Sequence, residues 1–570
     1  MLNRKEIHLK KFLPMSREEM ELRGWDELDI ILVTGDAYVD HPSFGIAIIG
    51  RVLEKAGFRV GIIAMPDYKN PQSMTVLGKP RLFFGVSSGN VDSMVSNFTS
   101  FKMRRHDDPY APGGVAGHRP NRAVIVYSNL VKQVYKDVPI VIGGIEASMR
   151  RMVHYDFWSD KLRRSILLDS RADILVYGMG EKAVTEIALR LASGKNLSGI
   201  SGTVIVDKFR PPNSIELIPA NEAMLSRRNF YEYFDRWFKN RFKIQTQISG
   251  GRYLIHYPPS QVSSEELDHY YELAFTREPH PKYQEKIPAF EMVQDSITCH
   301  RGCVSGCSFC ALTLHQGKQI VSRSKESILR EIGEIRKNEN FRGHIRDIGG
   351  PSANNYAFDC RINWNCPKNS CITNGKVCKN LKVNTQVWLD LLDEAERQSG
   401  VKKVTVGSGI RYDLFMHHPD GKKLLKRLIK SHISGQLKIA PEHNQKHVLA
   451  AMNKEQLYSL DAFVELFAKI NKELGKSQYL IPYLMSCHPG TTLEDMKKMR
   501  SDVQRIFHFV PDQVQAFIPL PMTISSVQYY TGLDPLTGKK VFVERDLKKR
   551  REQHRIFFSG KKKPKKTKKR

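Results

Sequence analysis

Residues 28–205 alternate between apolar runs and amphipathic stretches, a pattern that predicts a parallel β-sheet with helices on both faces. Strands buried on both faces are apolar throughout, and the helices between them form the crossovers of a doubly wound α/β domain. Such domains bind ligands beyond the carboxyl ends of their strands. The predicted strands are 28–36, 58–67, 81–90, 138–148 and 172–181, and the predicted helices include 44–57, 121–136 and 182–194.

A second alternation of strands and helices runs from residue 290 to residue 518. Six β/α units predict a full or partial β/α barrel, in which the chemistry lies on the loops that follow the strands. Thr491 and Glu494 predict a capping box at the start of the last helix. The predicted strands are 291–297, 344–350, 402–409, 435–442, 477–485 and 512–520, and the helices include 324–338, 385–400 and 491–507.

The segment between these two regions has no clean period and is rich in aromatic residues and proline. We predict that it is a connector that packs on the barrel. One helix is expected at 264–275, where Ser263 and Glu266 form a capping box. The predicted organisation is a doubly wound domain at 14–205, the connector at 206–289, the barrel at 290–518, a C-terminal extension at 519–560 and a basic disordered tail at 561–570.

Composition adds a strong positive charge to this picture. The 570 residues carry a formal charge of +29, of which the last ten residues contribute +8. A basic protein attracts polyanions, so RNA contact is one interpretation, and a solubilising tail on a basic background is the other. No apolar run reaches the roughly 18–20 residues of a membrane helix, and the N-terminus lacks the pattern of a signal peptide. We therefore expect a cytoplasmic protein without a membrane contact.

Four of the nine cysteines lie within twelve residues, in the sequence CHRGCVSGCSFC at 299–310. Because this stretch follows the predicted strand 291–297, its thiols are expected at the active face of the barrel. Clustered cysteines in a reducing compartment favour zinc or an iron–sulfur cluster over disulfides. Zinc ribbons have two separated Cys-x2-Cys pairs, whereas Cys303, Cys307 and Cys310 surround one compact site. A [4Fe-4S] cluster with three protein ligands leaves one iron open.

The spacing Cys303-x3-Cys307-x2-Cys310, with Phe309 before the last cysteine, resembles the motif of the radical S-adenosylmethionine (radical SAM) superfamily. From about residue 14 to residue 558 the chain is similar to the YgiQ family of radical SAM proteins. The resemblance implies an N-terminal domain of the cobalamin-binding type and a partial (β/α)6 barrel. The stretches that carry it are RGWDELDIILVTGDAYVDHPSFG, GGIEASMRRMVHYDFWSDKLRRSIL, HRGCVSGCSFCALTLHQGKQIVSRSKESI and GGPSANNY.

The resemblance also implies two cofactors, a [4Fe-4S] cluster on the three cysteines and S-adenosylmethionine on its open iron. One electron from a ferredoxin- or flavodoxin-like donor would cleave S-adenosylmethionine to a 5′-deoxyadenosyl radical, which abstracts hydrogen from a substrate. Cys299 does not fit the spacing and is predicted to lie beneath the loop without binding the cluster. The implied S-adenosylmethionine residues, which follow the second to fourth barrel strands, are Gly349, Gly350, Ser408, Arg411 and Glu442.

The substrate stays open at this point. The charge favours RNA, and so does HPGTT at 488–492, which resembles the methylthiotransferase branch of the superfamily. A small metabolite or cofactor is the competing hypothesis. Outside the enzymes, the alternative is a metal-stabilised RNA-binding protein without catalysis.

A second set of cysteines lies in a polar stretch just after GGPSANNY. Four thiols there predict a closed metal site, either zinc or a second iron–sulfur cluster, and unligated surface thiols are the alternative. Cys487 stands alone and is predicted to be a core residue. The members of the set are Cys360, Cys366, Cys371 and Cys378.

Three further groups of polar residues have both a functional and a structural interpretation. Asp36, Asp40 and His41 follow the first strand but do not match the Asp-x-His-x2-Gly signature of cobalamin ligation. This leaves a corrinoid bound without histidine, another small ligand or a purely structural domain. His315 and Gln316 could contact the cluster or a substrate, or be structural. The third group either faces a ligand or docks the N-terminal domain on the barrel, and comprises Arg150, Arg151, His154, Tyr155, Asp156 and Trp158.

Overall fold

The computed structural model describes residues 4–512 and 514–558, so the basic tail predicted at 561–570 lies outside the described residues. In the N-terminal half, nine strands form one sheet in the order β2-β1-β3-β4-β5-β6-β9-β8-β7. The strands are β1 Ile30–Thr34, β2 Val60–Ala64, β3 Phe83–Val86, β4 Ile140–Ile142, β5 Ile174–Val176, β6 Thr203–Asp207, β7 Ile215–Glu216, β8 Gln245–Ser249 and β9 Arg252–His256.

The first five strands of this sheet are parallel, which confirms the predicted doubly wound domain. Successive side chains of β1 alternate between two cores, because Ile31 and Val33 pack on one face and Ile30 and Leu32 on the other. The helices of this half are α1 Arg4–Leu9, α2 Arg17–Leu22, α3 Gly45–Lys55, α4 Ser93–Asn97, α5 Ala123–Val134, α6 Gly144–Met149, α7 Ile166–Ser170, α8 Glu181–Ala192, α9 Ala220–Ala223, α10 Arg227–Lys239 and α11 Ser264–Tyr271.

The sheet continues beyond the boundary that we drew at residue 205. Strands β7 to β9 come from the segment predicted as a connector, and β6 pairs antiparallel with both β5 and β9. Helix α11 begins with the predicted capping box, because the Ser263 hydroxyl accepts from the Glu266 N–H and the Glu266 carboxylate accepts from the Ser263 N–H. A separate hairpin pairs His154–Asp156 with Lys161–Arg163.

Seven strands in the second half follow the predicted barrel order, and all pairs between them are parallel. One bridge between Ile410 and Ile439 joins the third and fourth units. The predicted strand at 291–297 is wrong in its first half, where a helix that starts with Pro288 extends to Val293. The strands are β10 Ser296–Thr298, β11 His344–Ile345, β12 Asp347–Gly349, β13 Lys403–Val404, β14 Gln436–Glu442, β15 Tyr479–Ser486 and β16 Val514–Ala516.

The helices of the second half cover the barrel strands, and α21 packs against α10 of the N-terminal half. The predicted capping box lies one residue later than Thr491, because Thr492 caps α20 and pairs with Asp495. No helix in the described part of the chain has the length and apolar content to cross a membrane. The helices are α12 Pro288–Val293, α13 Ala311–Gln316, α14 Lys325–Ile335, α15 Thr385–Glu396, α16 Tyr412–Phe415, α17 Gly421–Ser431, α18 Lys446–Ala451, α19 Leu460–Glu473, α20 Leu493–Phe507, α21 Ile524–Thr531 and α22 Leu547–Arg555.

Candidate cluster site

The cluster loop, which we define as residues 299–310, lies between the first barrel strand and α13. Its base is a hairpin in which His300–Arg301 pairs antiparallel with Val321–Ser322. Two glycines turn the loop, because Gly302 (φ +87°) and Gly306 (φ +59°) adopt left-handed conformations that other residues rarely take. The loop therefore depends on glycine on both sides of the first predicted ligand.

The three predicted cluster ligands lie close enough to act on one another electrostatically. Burial is the largest cause that raises the pKa of Cys307 to about 12, and Cys310 and Cys303 raise it too, while Lys454 and Arg411 lower it. Burial also raises the pKa of Cys310, with a contribution from Cys303. Because metals bind thiolates, an iron–sulfur cluster would compensate the charge that burial otherwise disfavours.

Two buried cations lie beside these thiols. The Nε atom of Arg411 donates to Asp413 at 3.0 Å, whereas its Nη1 atom has no hydrogen-bond partner among the described residues. The Nζ atom of Lys454 lies 2.9 Å from the carboxylate of Glu442 and 5.9 Å from the ring centroid of Phe309. Positive charge at this position stabilises the thiolates that a cluster needs.

The predicted glycine turn ends β12 and packs closely against its neighbours. The carboxylate of Asp347 accepts from the Ser408 N–H at 3.1 Å and from the Ser408 hydroxyl at 3.0 Å. A Cβ atom at Gly349 would lie 2.2 Å from the Ser408 hydroxyl, and one at Gly350 would lie 2.5 Å from the His300 ring. Only glycine lets the turn approach both the cluster hairpin and the loop after β13.

All five residues predicted for S-adenosylmethionine thus follow barrel strands, but they divide into two groups. Arg411 lies near the thiols, and Glu442 reaches them through Lys454. Gly349 and Ser408 lie beside Asp347, and Gly350 lies beside the His300 ring.

Cys299 lies beneath the loop in the barrel core. Its side chain is fully buried, and its N–H donates to the Gly349 carbonyl at 2.8 Å. Its Sγ atom is 3.3 Å from Nδ1 of His300. Cys487 is also buried, with its Sγ atom 3.1 Å from the Arg550 carbonyl.

Sequence reasoning missed two residues at the thiols. The Nδ2 atom of Asn355 lies 3.6 Å from Sγ of Cys303, and Lys454 approaches Cys307. Asn355 follows the glycine turn within GGPSANNY, so its place after that turn was a usable signal. Lys454 follows α18, far along the chain, and no local pattern marks it.

The second cysteine set folds into two small hairpins. Asp359–Cys360 pairs with Leu381–Lys382, and Ile372–Thr373 pairs with Lys376–Val377. Burial is the largest cause that raises the pKa of Cys371 to about 11, and the other three thiols of the set all contribute. The four thiols therefore gather around Cys371.

This second set packs directly against the cluster loop. The Cys371 N–H donates to the Val304 carbonyl at 2.9 Å, and the Ser370 hydroxyl donates to the Ser305 carbonyl at 2.7 Å. Within residues 4–512 and 514–558, no three His, Cys, Asp or Glu side chains are placed to share one ion. The cysteines of an iron–sulfur cluster bind different iron atoms, so their sulfur atoms lie farther apart than the ligands of a single ion. Both cysteine sets supply thiols, which are the ligands that such a cluster needs.

A cavity of about 650 Å³ separates the N-terminal sheet from the cluster loop. Cys307 and Cys310 contribute to its wall, so a molecule in the cavity would lie next to the predicted cluster. None of the five predicted S-adenosylmethionine residues lines it. Its other walls come from the loop after β5, the end of α10, helix α13, the second cysteine set and the start of α21.

A second cavity of about 150 Å³ lies at the carboxyl ends of β1, β3, β4 and β5. Asp36 lines it, but Asp40 and His41 do not. Asp40 pairs with Arg51, and His41 is fully buried beside Arg277. The sheet order reverses between β1 and β3, which is where doubly wound domains bind ligands.

Two residues of α13 connect the cluster loop with these cavities. His315 lines both cavities, and its Nδ1 atom lies 3.0 Å from the Ser148 hydroxyl. Burial, Arg151 and Arg301 lower the pKa of His315 to about 4, so the ring is neutral at pH 7. The side-chain carbonyl of Gln316 accepts from the Gly302 N–H at 3.1 Å.

The residues of the polar patch after α6 do not all support one interpretation, because some pack against other elements and one faces a cavity. Tyr155 stacks on Tyr530 at 4.8 Å, so the hairpin packs on α21. Asp156 pairs with Arg122 inside the N-terminal half. Arg151 instead lines the larger cavity.

The close packing of Gly302 predicts that alanine is not tolerated there. A Cβ atom would lie 1.8 Å from the Gln319 carbonyl, so Gly302→Ala should cost about 3 kcal/mol or more through strain and overpacking and should lower the iron content. Gly317→Ala is the matched control, because Gly317 has φ +85° but no atom within 4 Å of its Cβ position. Equal iron content and equal thermal midpoints in the two variants would contradict this prediction.

Two family models match separate parts of the chain. The family model described as Radical SAM N-terminal matches residues 12–296, and a domain of unknown function (DUF3362) matches residues 512–562. A UPF0313 protein of Methanosarcina acetivorans is 47% identical over 96% of this chain and 78% of its own length. The chain belongs to the UPF0313 (YgiQ) family of radical SAM proteins.

Other UPF0313 proteins match at similar levels. One from Methanosarcina mazei is 46% identical over 95% of this chain and 94% of its own length. One from Clostridium botulinum strain Okra is 45% identical over 96% of this chain and 87% of its own length. The family therefore spans nearly the whole chain.

Solved structures similar to this UPF0313 protein share its fold. The radical S-adenosylmethionine methyltransferase TsrM from Kitasatospora setae, with cobalamin and a [4Fe-4S] cluster bound, has a TM-score of 0.51 and 14% identity, and the match covers 87% of this chain and 74% of TsrM. The likeness confirms a cobalamin-binding-like domain followed by a partial radical SAM barrel.

Proposed function

We propose that the chain is a radical SAM enzyme that holds a [4Fe-4S] cluster through Cys303, Cys307 and Cys310 and cleaves S-adenosylmethionine reductively. The observation that carries the proposal is the grouping of these three thiols on a glycine-turned loop at the barrel face, beside Arg411 and Lys454. Membership of the UPF0313 family supports it.

The chain's own residues have separate roles in this proposal. The bound cluster would supply one electron that breaks the sulfonium bond of S-adenosylmethionine. Arg411 binds the anionic part of the cofactor, because its Nη1 atom is buried without a partner among residues 4–512 and 514–558. Gly349 and Gly350 hold the turn close to Ser408 and His300, and their backbone would contact the cofactor. Ser408 and Glu442 act as positioning residues, since they bond to Asp347 and Lys454.

Anaerobic S-adenosylmethionine cleavage tests the proposal. Protein reconstituted with iron and sulfide and reduced with dithionite should release 5′-deoxyadenosine, which is measured by chromatography and mass spectrometry. A fully loaded, reduced cluster that releases none would contradict the proposal and favour a metal-stabilised RNA-binding protein. In cells, a ferredoxin- or flavodoxin-like protein would take the place of dithionite, and the substrate would be RNA or a small metabolite or cofactor.

The second cysteine set is proposed to hold its own metal, either a second iron–sulfur cluster or zinc. Zinc would need the thiols to lie closer together than they do in this structure. In Cys303→Ala the first cluster should be lost while the second metal stays, because the two sets share no ligand. Elemental analysis should then find either iron with sulfide or about one zinc per chain. Cys303→Ala protein that contains neither metal after reconstitution would contradict a second site.

A corrinoid is one of the two kinds of ligand proposed for the smaller cavity, and another small molecule is the other. TsrM has been solved with cobalamin bound, but His41 does not line this cavity. A corrinoid would therefore bind without this histidine as a ligand. Anaerobic addition of hydroxocobalamin, followed by desalting, tests for retained corrinoid absorbance, and its absence would remove the corrinoid from the cofactor set.

A further inference from the structure

The wall of the larger cavity carries charge of one sign. No aspartate or glutamate lines this cavity in the described part of the chain. A surface with cations alone attracts anions and raises their local concentration. Two cations of the wall pair with carboxylates outside it, Arg301 with Glu181 and Lys239 with Asp235. The other cationic residues of the wall are Arg151, Arg241, Lys243 and Lys318.

Arg151 is the most buried of these cations that lacks a carboxylate partner. Only 4% of the residue is exposed, and its guanidinium lies between the rings of Tyr177 and Trp237, at 4.5 and 5.2 Å from their centroids. Its hydrogen bonds go to the Ser148 carbonyl and to Nε2 of His256. Burial lowers the pKa of Arg151 to about 10, so it stays charged at pH 7.

Arg241 repeats this arrangement at the rim of the cavity. Its guanidinium lies 4.4 Å from the ring centroid of Phe238 and 4.6 Å from that of Phe242. It donates to the carbonyls of Phe238 and Pro367 at 2.7 and 2.8 Å. Neither Arg151 nor Arg241 forms an ion pair with any described carboxylate.

Most other buried arginines of the described chain have carboxylate partners, and the exception is Arg550, which donates to the Phe517 carbonyl and lies beside the rings of Phe157 and Tyr529. What distinguishes Arg151 and Arg241 is that both line one cavity whose wall has no acidic residue, so an anion inside that cavity would supply the counter-charge that they lack. The pairs are Arg51 with Asp40, Arg119 with Asp36 and Asp108, Arg150 with Asp92, Arg323 with Glu331, and Arg411 with Asp413.

We infer that this cavity binds a small anionic substrate, bearing phosphate or carboxylate groups, between Arg151 and Arg241. The inference rests on the proposed function, because Cys307 and Cys310 in the same wall would bring the bound molecule next to the cluster. A volume of about 650 Å³ is typical of small-molecule sites and favours a metabolite over RNA. The aromatic rings beside the two arginines suit a planar group on the same molecule.

Titration calorimetry with inorganic pyrophosphate and with succinate tests this inference on the full-length reconstituted protein. Saturable binding of pyrophosphate supports a phosphate group, and saturable binding of succinate supports a carboxylate. Arg151→Gln and Arg241→Gln should each weaken that binding at least about tenfold, because each removes a charge-assisted pair. Arg236→Gln is the matched control, since Arg236 lies on the same helix as the wall residue Lys239 but outside the cavity wall.

Three outcomes would overturn the inference. They are no saturable binding of either anion, binding that Arg241→Gln leaves unchanged, and an RNA oligonucleotide that binds through Arg241 while neither anion binds. Because Arg241 is at the rim, its variant carries the test even if Arg151→Gln fails to fold. Binding is measured without S-adenosylmethionine or reductant, so a failure here is distinct from a failure of the proposed cleavage.

Discussion

Cys307→Ala should abolish S-adenosylmethionine cleavage and remove the iron of the first cluster. Cys307 is the middle ligand of the proposed three, and a cluster left with two cysteines has too few protein donors to be held. The release of 5′-deoxyadenosine should fall to background, and the charge-transfer absorbance of the reconstituted protein should fall with it. Both are measured on anaerobic protein of matched concentration.

Cys299→Ala is the matched control for this experiment. It removes a thiol from the same loop, but Cys299 lies in the barrel core and bonds to the Gly349 carbonyl through its backbone, which alanine retains. The control should therefore keep its iron and its cleavage activity. Loss of the cluster in Cys299→Ala with retention in Cys307→Ala would reverse the ligand assignment.

The doubly wound domain could be predicted because its strands are apolar along their whole length. Ile30–Thr34 and Phe83–Val86 are buried along their whole length, and the alternation of such runs with helical stretches predicts a covered parallel sheet. The far edge of the same sheet could not be predicted in this way. Gln245, Thr246 and Gln247 are buried in β8 although all three are polar, so hydrophobicity gives no signal there.

The start of the barrel shows a second limit of pattern reading. The stretch 291–297 has enough apolar residues for a strand, but Pro288 at the first helical position favours a helix through Val293. Because short apolar runs fit either element, flanking residues decide between them.

The candidate site was predictable where its residues are close in sequence. The spacing of three cysteines within eight residues marks the cluster loop by itself. Lys454 and Arg241 come from α18's end and α10's end and meet the site only in the folded chain. Lys454 pairs with Glu442 from strand β14, and Arg241 lies over the ring of Phe238 without a carboxylate partner among the described residues. No local sequence pattern indicates either arrangement.

Glu331→Gln should destabilise the fold more than any other single charge removal that we predict. Glu331 on α14 is buried and accepts ion pairs from both Arg277 and Arg323. Arg277 comes from the segment before the barrel, and its N–H donates to the Asp40 carbonyl at 2.8 Å. The carboxylate therefore joins the two halves of the molecule.

In Glu331→Gln the uncharged amide leaves the buried guanidinium groups of Arg277 and Arg323 without their counter-charge, which should lower the free energy of unfolding by about 3 kcal/mol. The urea midpoint of the first unfolding transition should fall accordingly. Glu334→Gln on the same helix is the control. Among the described residues Glu334 pairs only with the exposed Lys337, so its loss should leave the midpoint unchanged. Equal midpoints for both variants would show that the buried pairs contribute nothing net.

The effect of Glu331→Gln should also depend on pH. Burial alone would raise the pKa of Glu331, but Arg323 and Arg277 outweigh it, so the pKa in the folded protein is lowered. A lowered pKa in the folded state gives stability that is fully present above the unfolded value, about 4.3, and is lost as the pH falls through the folded value. The wild-type advantage over Glu331→Gln should thus be constant from pH 8 to about pH 5 and shrink in stronger acid. An advantage that grows on acidification would contradict the ionised carboxylate on which the pairing depends.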